Sequence, residues 1–187
     1  MTTATLRRLL ALCSLGALLG AASGPAAAQG TGFYAGIGAG STTTDFCDQF
    51  IGLTSCDDKD TGFKIYAGNR VNANVSLEIG WVDLGEITAT GPGGTARITV
   101  DGIQAAVLGI APLNQRFHVF GKFGLYLWDG KATAPGLTLS DDGTDIVFGL
   151  GLGWRLSKQV DLRAEWERFD VDDEGVDMLS VGLQLNF

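Results

Sequence analysis

Hydrophobic and polar residues alternate along most of this chain with a period of two, the spacing that places side chains on opposite faces of an extended strand. The pattern is cleanest at residues 178–187. There Leu179, Val181, Leu183, Leu185 and Phe187 share one face, and Ser180, Gly182, Gln184 and Asn186 share the other. Seven earlier stretches repeat it, at residues 32–41, 61–70, 75–84, 96–111, 117–128, 145–156 and 160–169. In the first, Phe33, Ala35, Ile37 and Ala39 oppose Tyr34, Gly36, Gly38 and Gly40; in the sixth, residues 145–156, Leu150, Leu152 and Trp154 oppose Gly149, Gly151 and Gly153. The 96–111 stretch is the least regular. Its apolar phase slips near Asp101 and Gly102, which predicts a β-bulge there.

The connections alternate in length. Residues 42–60, 85–94 and 129–143 read as long polar loops, the second carrying the turn signal Gly91-Pro92-Gly93-Gly94. Residues 71–74, 112–116 and 157–159 read as short turns. Eight strands of roughly ten residues, joined by long and short connections in turn, match an up-and-down antiparallel barrel that crosses a membrane. With an even strand number the first and last strands pair and leave no open edge. The expected fold is therefore all-β, an eight-stranded transmembrane β-barrel.

A soluble barrel would show the same alternation with its apolar face turned inward. The content of the polar face decides between the two. It is mostly glycine with a few Lys, Arg and Glu, which suits a crowded narrow lumen and gains nothing on a wet surface. Phe33, Trp81, Trp154, Trp166 and Phe187 fall near strand ends on the apolar side, as interfacial aromatic girdles require. The apolar face is expected to meet lipid.

Residues 1–28 read as a cleaved signal peptide and 29–187 as the barrel domain. Arg7 and Arg8 precede an apolar stretch at 9–22, and Ala26, Ala27 and Ala28 precede Gln29. Cys13 does not make a lipoprotein site, because Leu12 is too large for the position before a lipidated cysteine; Cys13 is expected to leave with the signal. The formal net charge of −8 becomes −10 once Arg7 and Arg8 are removed, which argues against a nucleic-acid partner. Cys47 and Cys56 remain, in an exported setting where a disulfide is the default. No histidine or second cysteine pair lies near them to make a metal site.

Five motifs carry a resemblance. The closing strand at 178–187, with Phe33-Tyr34-Ala35-Gly36, Ser76-Leu77-Glu78-Ile79-Gly80-Trp81, Lys122-Phe123-Gly124 and Leu162-Arg163-Ala164-Glu165-Trp166, resembles the OmpA-type eight-stranded outer-membrane barrels along the whole of 29–187. The resemblance implies export through the Sec pathway to the outer membrane of a Gram-negative envelope. It also implies a lipid-embedded monomer, inserted by the barrel-assembly machinery, which reads a terminal aromatic such as Phe187. The family archetype continues into a peptidoglycan-binding domain where this sequence stops, so the barrel domain alone is implied.

The inward face gathers Lys64, Arg70, Glu78, Lys122, Arg155, Asp161, Arg163, Glu165 and Glu167. Buried charges must pair, since each unpaired ion costs several kcal/mol. Glu78 with Arg163, and Lys122 with Glu165 or Glu167, are the expected pairs of a plug across the lumen. By resemblance Glu78, Lys122 and Arg163 occupy the family's interior charge network, which in some members gates. Leu108 and Gly153 stand at two of its other charged positions, so a rewired network is expected. The outer loops are acidic: Asp45, Asp48, Asp57, Asp58 and Asp60; Asp141 and Asp142; Asp170, Asp172, Asp173 and Glu174. Their spacing is not that of an EF-hand loop, and a solvated rim is expected rather than a metal site.

Chemistry is not expected. His118 is the single histidine, placed at the periplasmic side with no serine and acid assembled around it. Gly36-Ile37-Gly38 and the glycines at 149–153 lie within strands and line the barrel rather than cradle a phosphate. The function expected is non-enzymatic and cofactor-free: envelope structure, or surface interaction with an extracellular partner through acidic outer loops pinned by a disulfide. The alternative is a narrow gated pore for ions or small solutes.

Overall fold

A computed structural model describes residues 32–44, 47, 54–92, 94–172 and 174–187. The signal-peptide reading, Cys13, and the loop acids Asp45, Asp48 and Asp173 lie outside the described residues. The strands are β1 (Gly32–Thr44), β2 (Ser55–Asp57), β3 (Lys59–Arg70), β4 (Val75–Gly91), β5 (Gly94–Pro112), β6 (Phe117–Ala134), β7 (Leu137–Arg155), β8 (Val160–Val171) and β9 (Glu174–Asn186). All neighbours are antiparallel. β1 pairs with both β3 and β9, and β4 with β5, so the eight long strands close on themselves. β2 is an addition of three residues hydrogen-bonded to the outer end of β4.

The apolar face points outward. Phe33, Ile37, Ile79, Phe123, Leu150, Leu179 and Val181 are exposed, while Lys64, Glu78, Lys122, Arg163, Glu165 and Glu167 on the other face are buried. A continuous surface of this kind far exceeds the apolar patch a water-soluble monomer tolerates, and lipid is the solvent it fits. On β6 the belt runs from Phe117 to Leu127, which at ~3.3 Å per residue and ~40° of tilt is about 25 Å of membrane. At its periplasmic edge Trp154 stacks on Phe117 at 5.8 Å between ring centroids. At its outer edge Asp83, Asp101, Asp129 and Asp142 face one another in register across β4 to β7, and Trp81 donates its indole N–H to Asp101 at 3.0 Å.

Two expectations about the strands need correction. Residues 85–94 and 129–143 are not loops but the arms of hairpins: Glu86 to Gly91 pair with Thr99 to Gly94, and Asp129 to Ala134 with Asp142 to Leu137. The arms keep a short apolar row on one face, Ile87, Ile98, Ala132 and Leu139 in register, but their interspersed glycine, proline and charged residues read as loop. The second arm turns at Pro135 and Gly136, the latter at φ 77°, the residue pair that a type II turn favours. The bulge also lies elsewhere. β5 alternates without a break, and the register shift falls on β4, where Leu84 and Gly85 oppose Val100 alone. Gly85 adopts φ 84°, a left-handed backbone that glycine takes without strain, and the displaced backbone N–H of Glu86 donates to the Asp60 carboxylate at 2.6 Å. The apolar slip in β5 arises because Val100 packs against an apolar cluster inside the barrel while Ile103 faces outward.

Interior glycines make room for rings. Tyr66 lies over Gly36 and Tyr34 over Gly68, facing residues on β1 and β3; a Cβ on either glycine would come within 2.3 Å of the opposing tyrosine ring. We expect Phe123→Arg, at mid-belt, to lower equilibrium stability in phosphocholine vesicles by about 2–4 kcal/mol. Thr99→Arg, on the extramembrane arm, is expected to be near neutral. Guanidinium titration of both variants checks this, and equal costs would overturn the lipid-facing assignment.

Candidate functional site

Strand alternation brings six charged side chains to one level of the lumen: Lys64 from β3, Glu78 from β4, Lys122 from β6, and Arg163, Glu165 and Glu167 from β8. Three cations meet three carboxylates. Lys122 Nζ lies 2.8 Å from Glu78, 3.1 Å from Glu165 and 2.7 Å from Glu167. Lys64 contacts Glu165 at 3.1 Å and also pairs with Glu167. Arg163 reaches Glu78 through Nη1 at 2.8 Å and Glu165 through Nε at 2.9 Å. The expected partners are all in contact, but each carboxylate also touches a second or third cation, so this is a lattice rather than separate pairs.

Neutral groups complete it. The Tyr34 hydroxyl donates to Glu78 at 3.0 Å, the Gln104 amide donates to Glu167 at 3.1 Å, and Arg163 donates to the Gln184 carbonyl oxygen at 3.0 Å. The Arg163 guanidinium is held between two rings, 4.4 Å from the Tyr66 centroid and 4.6 Å from that of Phe120. Such burial is tolerable because the charges balance within the cluster and neutral groups take some of the remaining hydrogen bonds. Where the resemblance placed further charges, Leu108 packs with Ala106 and Phe120 beneath the lattice, and Gly153 lies against the His118 ring.

A second layer lies above the lattice. Toward the outer side the lumen is filled by Val82, Leu84, Tyr126, Trp128, Val147, Phe169, Val171 and Met178, all buried. Tyr126 and Phe169 meet edge to face at 4.9 Å, and Trp128 donates to Asp145 at 2.7 Å. The signal was present. Tyr126 shares its face with Lys122, and Phe169 with Glu165 and Glu167, so apolar residues on the polar face near the outer strand ends marked an apolar cap.

Arg70 and Arg155 do not join the lattice. They stand at the periplasmic end on either side of the buried Asp161, at 3.5 and 3.6 Å, and the Arg155 side chain is 43% exposed. Cys47 and Cys56 are disulfide-bonded with Cα atoms 5.9 Å apart, which ties residue 47 to β2. Phe187 is exposed at the periplasmic edge, its backbone N–H donating to the carbonyl of Phe33 at 2.9 Å. Among the described residues no group of three His, Cys, Asp or Glu is arranged to hold a metal ion. We expect Lys122→Met to cost about 3–5 kcal/mol, because it leaves three carboxylates with two cations. Adding Glu167→Gln restores the balance and is expected to recover part of that loss in the same vesicle unfolding assay.

Comparison with known proteins places this architecture. The sequence matches the outer membrane protein beta-barrel domain family over residues 14–187. Among curated proteins none matches. Solved structures share the fold at low identity. Ail, the attachment invasion locus protein of Yersinia pestis, solved with the heparin analogue sucrose octasulfate, is 14% identical with TM-score 0.59, over 85% of this chain and all of its own. Neisserial surface protein A is 17% identical with TM-score 0.60, over 86% of this chain and 100% of its own. OprG from Pseudomonas aeruginosa is 12% identical with TM-score 0.60, over 86% and 98%. A closed eight-stranded barrel with a lipid belt and a family match across nearly all of its length leaves one conclusion: the chain belongs to the outer membrane protein β-barrel domain family and resides in the bacterial outer membrane.

Proposed function

We propose that this protein is a sealed outer-membrane platform that presents an acidic sheet to a cationic partner outside the cell. The observation that carries the reading is the extension of β4, β5, β6 and β7 beyond the lipid belt as paired strands, with β2 and its disulfide added at one side. The outer surface carries Asp57, Asp58, Glu86, Asp129, Asp141, Asp170 and Asp172 against Lys59, Arg97, Lys131 and Arg168, the last paired with Asp177 at 2.9 Å. Arg97 is already paired with Glu86 at 2.8 Å. Ail was solved with a sulfated sugar. A surface of the sign found here repels polyanions and attracts cations, so a basic protein segment is the better fit. The disulfide ties residue 47 to β2 and so favours a preformed surface on that side.

The same reading includes removal of residues 1–28 as a signal peptide, Phe187 as the aromatic used in barrel assembly, a monomeric state and no catalysis. A narrow gated pore is the second reading, and the ion lattice favours it: Lys122 touches three carboxylates and has alternatives if one contact breaks. Against conduction stands the apolar layer above it, which offers a permeating ion no replacement for its hydration.

Two measurements test this. Single-channel recording of the inserted protein in a planar bilayer is expected to be silent; reproducible openings altered by Glu78→Ala would replace the platform with the pore. A short oligolysine is expected to bind the protein in nanodiscs at physiological salt and to release toward 1 M salt, where the Debye length falls from ~8 to ~3 Å. Asp129→Asn combined with Asp141→Asn is expected to weaken that binding several-fold.

A further inference from the structure

The barrel is basic at the end opposite its acidic sheet. Arg70, Arg116 and Arg155 gather at the periplasmic mouth with Asp161 as their one acidic neighbour among the described residues. They line a recess of about 80 Å³ together with Asn114, Gln115 and His118. Leu108, Ile110 and Phe120 close it above, where only about 10 Å³ of further space reaches toward Arg163. The recess is a dead end facing the periplasm.

Its donors are only partly consumed by the protein: Arg70 Nη2 donates to the Asn186 carboxamide oxygen at 3.4 Å. Asp161 is fully buried, yet neither of its oxygens has a hydrogen-bond partner among the described residues, because both arginines stand off at 3.5 and 3.6 Å. Arg70 Nε is buried without an acceptor. Arg116 has no ion-pair partner among the described residues. The frame around these groups is rigid. The Asn114 carboxamide oxygen accepts from the backbone N–H of Arg116 at 2.8 Å and of Phe117 at 2.9 Å, which fixes the turn that carries Arg116. The backbone N–H of Arg155 donates to the Arg116 carbonyl at 2.7 Å, holding the two arginines side by side. His118 is seated against Gly153, where any Cβ would meet its ring at 2.1 Å.

We propose that this mouth is a binding site for a single small oxyanion, a phosphate or carboxylate group, held chiefly by Arg116 and Arg155 with Arg70 behind them. Planar guanidinium forks match two oxygens of such a group, and a partly dehydrated recess strengthens the contact. The net positive charge of the mouth draws the anion in, while the closed roof limits the site to one group. This site is independent of any outer partner and stands if the platform reading fails.

The test uses the full protein extracted from outer membranes and placed in zwitterionic nanodiscs. His118, the chain's only histidine, supplies one imidazole ¹H–¹³C signal that reports on the recess. Inorganic phosphate and, separately, acetate are titrated at constant ionic strength set with sodium chloride. A saturable shift is expected, with affinity reduced roughly tenfold by Arg155→Gln and by Arg116→Gln, the loss of one charged hydrogen bond each. Lys131→Gln, at the outer surface, is expected to leave it unchanged. A shift already complete in phosphatidylglycerol nanodiscs, and no longer moved by added phosphate, assigns the bound group to a lipid headgroup and supports the site. A shift that never saturates, or that persists equally in both arginine variants, overturns it.

Discussion

The structure depends on one electrostatic condition: charges enclosed in a narrow, dry lumen must cancel where they stand. Lys64, Lys122 and Arg163 meet Glu78, Glu165 and Glu167 at one level, and their contacts run across the barrel from β3 and β4 to β6 and β8. Backbone pairing links each strand only to its neighbours. The ion lattice links strands that are not neighbours, and so it fixes which side chains share a layer. Removing any one member leaves the remainder both buried and unbalanced, which is costlier than never having had the pair.

The layers above and below follow from that condition. Lipid outside demands apolar side chains on one face of every strand, and the enclosed lattice needs low-dielectric neighbours that exclude competing water. Tyr126, Phe169 and Met178 supply them on the outer side, and Leu108 and Phe120 on the periplasmic side. Glycines then set the spacing, since Tyr34 and Tyr66 can cross the lumen only where Gly68 and Gly36 offer no side chain. Beyond the belt neither condition applies. The strands run on as a largely polar sheet with a short apolar row on one face, and the arginines of the periplasmic mouth stay part-hydrated.

Charge is thereby divided along the barrel axis into an acidic outer sheet, a neutral middle and a basic periplasmic end. Each end suits ligands of a different sign. On the sealed-platform proposal the filled centre keeps the two from communicating through the lumen.

Period-two alternation determined the strand number, the alternating connection lengths pointed to antiparallel closure, and the glycine-rich content of the polar face, not the alternation, turned the apolar face toward lipid. Alternation also placed Glu78, Lys122, Arg163, Glu165 and Glu167 on the inward face, since parity along a strand survives any choice of register. Tertiary structure alone decided the rest. The hairpin arms at 86–99 and 129–142 carry only a short apolar row, Ile87, Ile98, Ala132 and Leu139 in register, among glycine, proline and charged residues that read as loop, so backbone pairing reveals them. The bulge fell on β4 rather than β5 because a phase slip read in one strand cannot say which of two partners holds the extra residue. Arg70 and Arg155 share the parity of the lattice but sit at another height, and height in a barrel is set by strand tilt and register, which no single strand encodes.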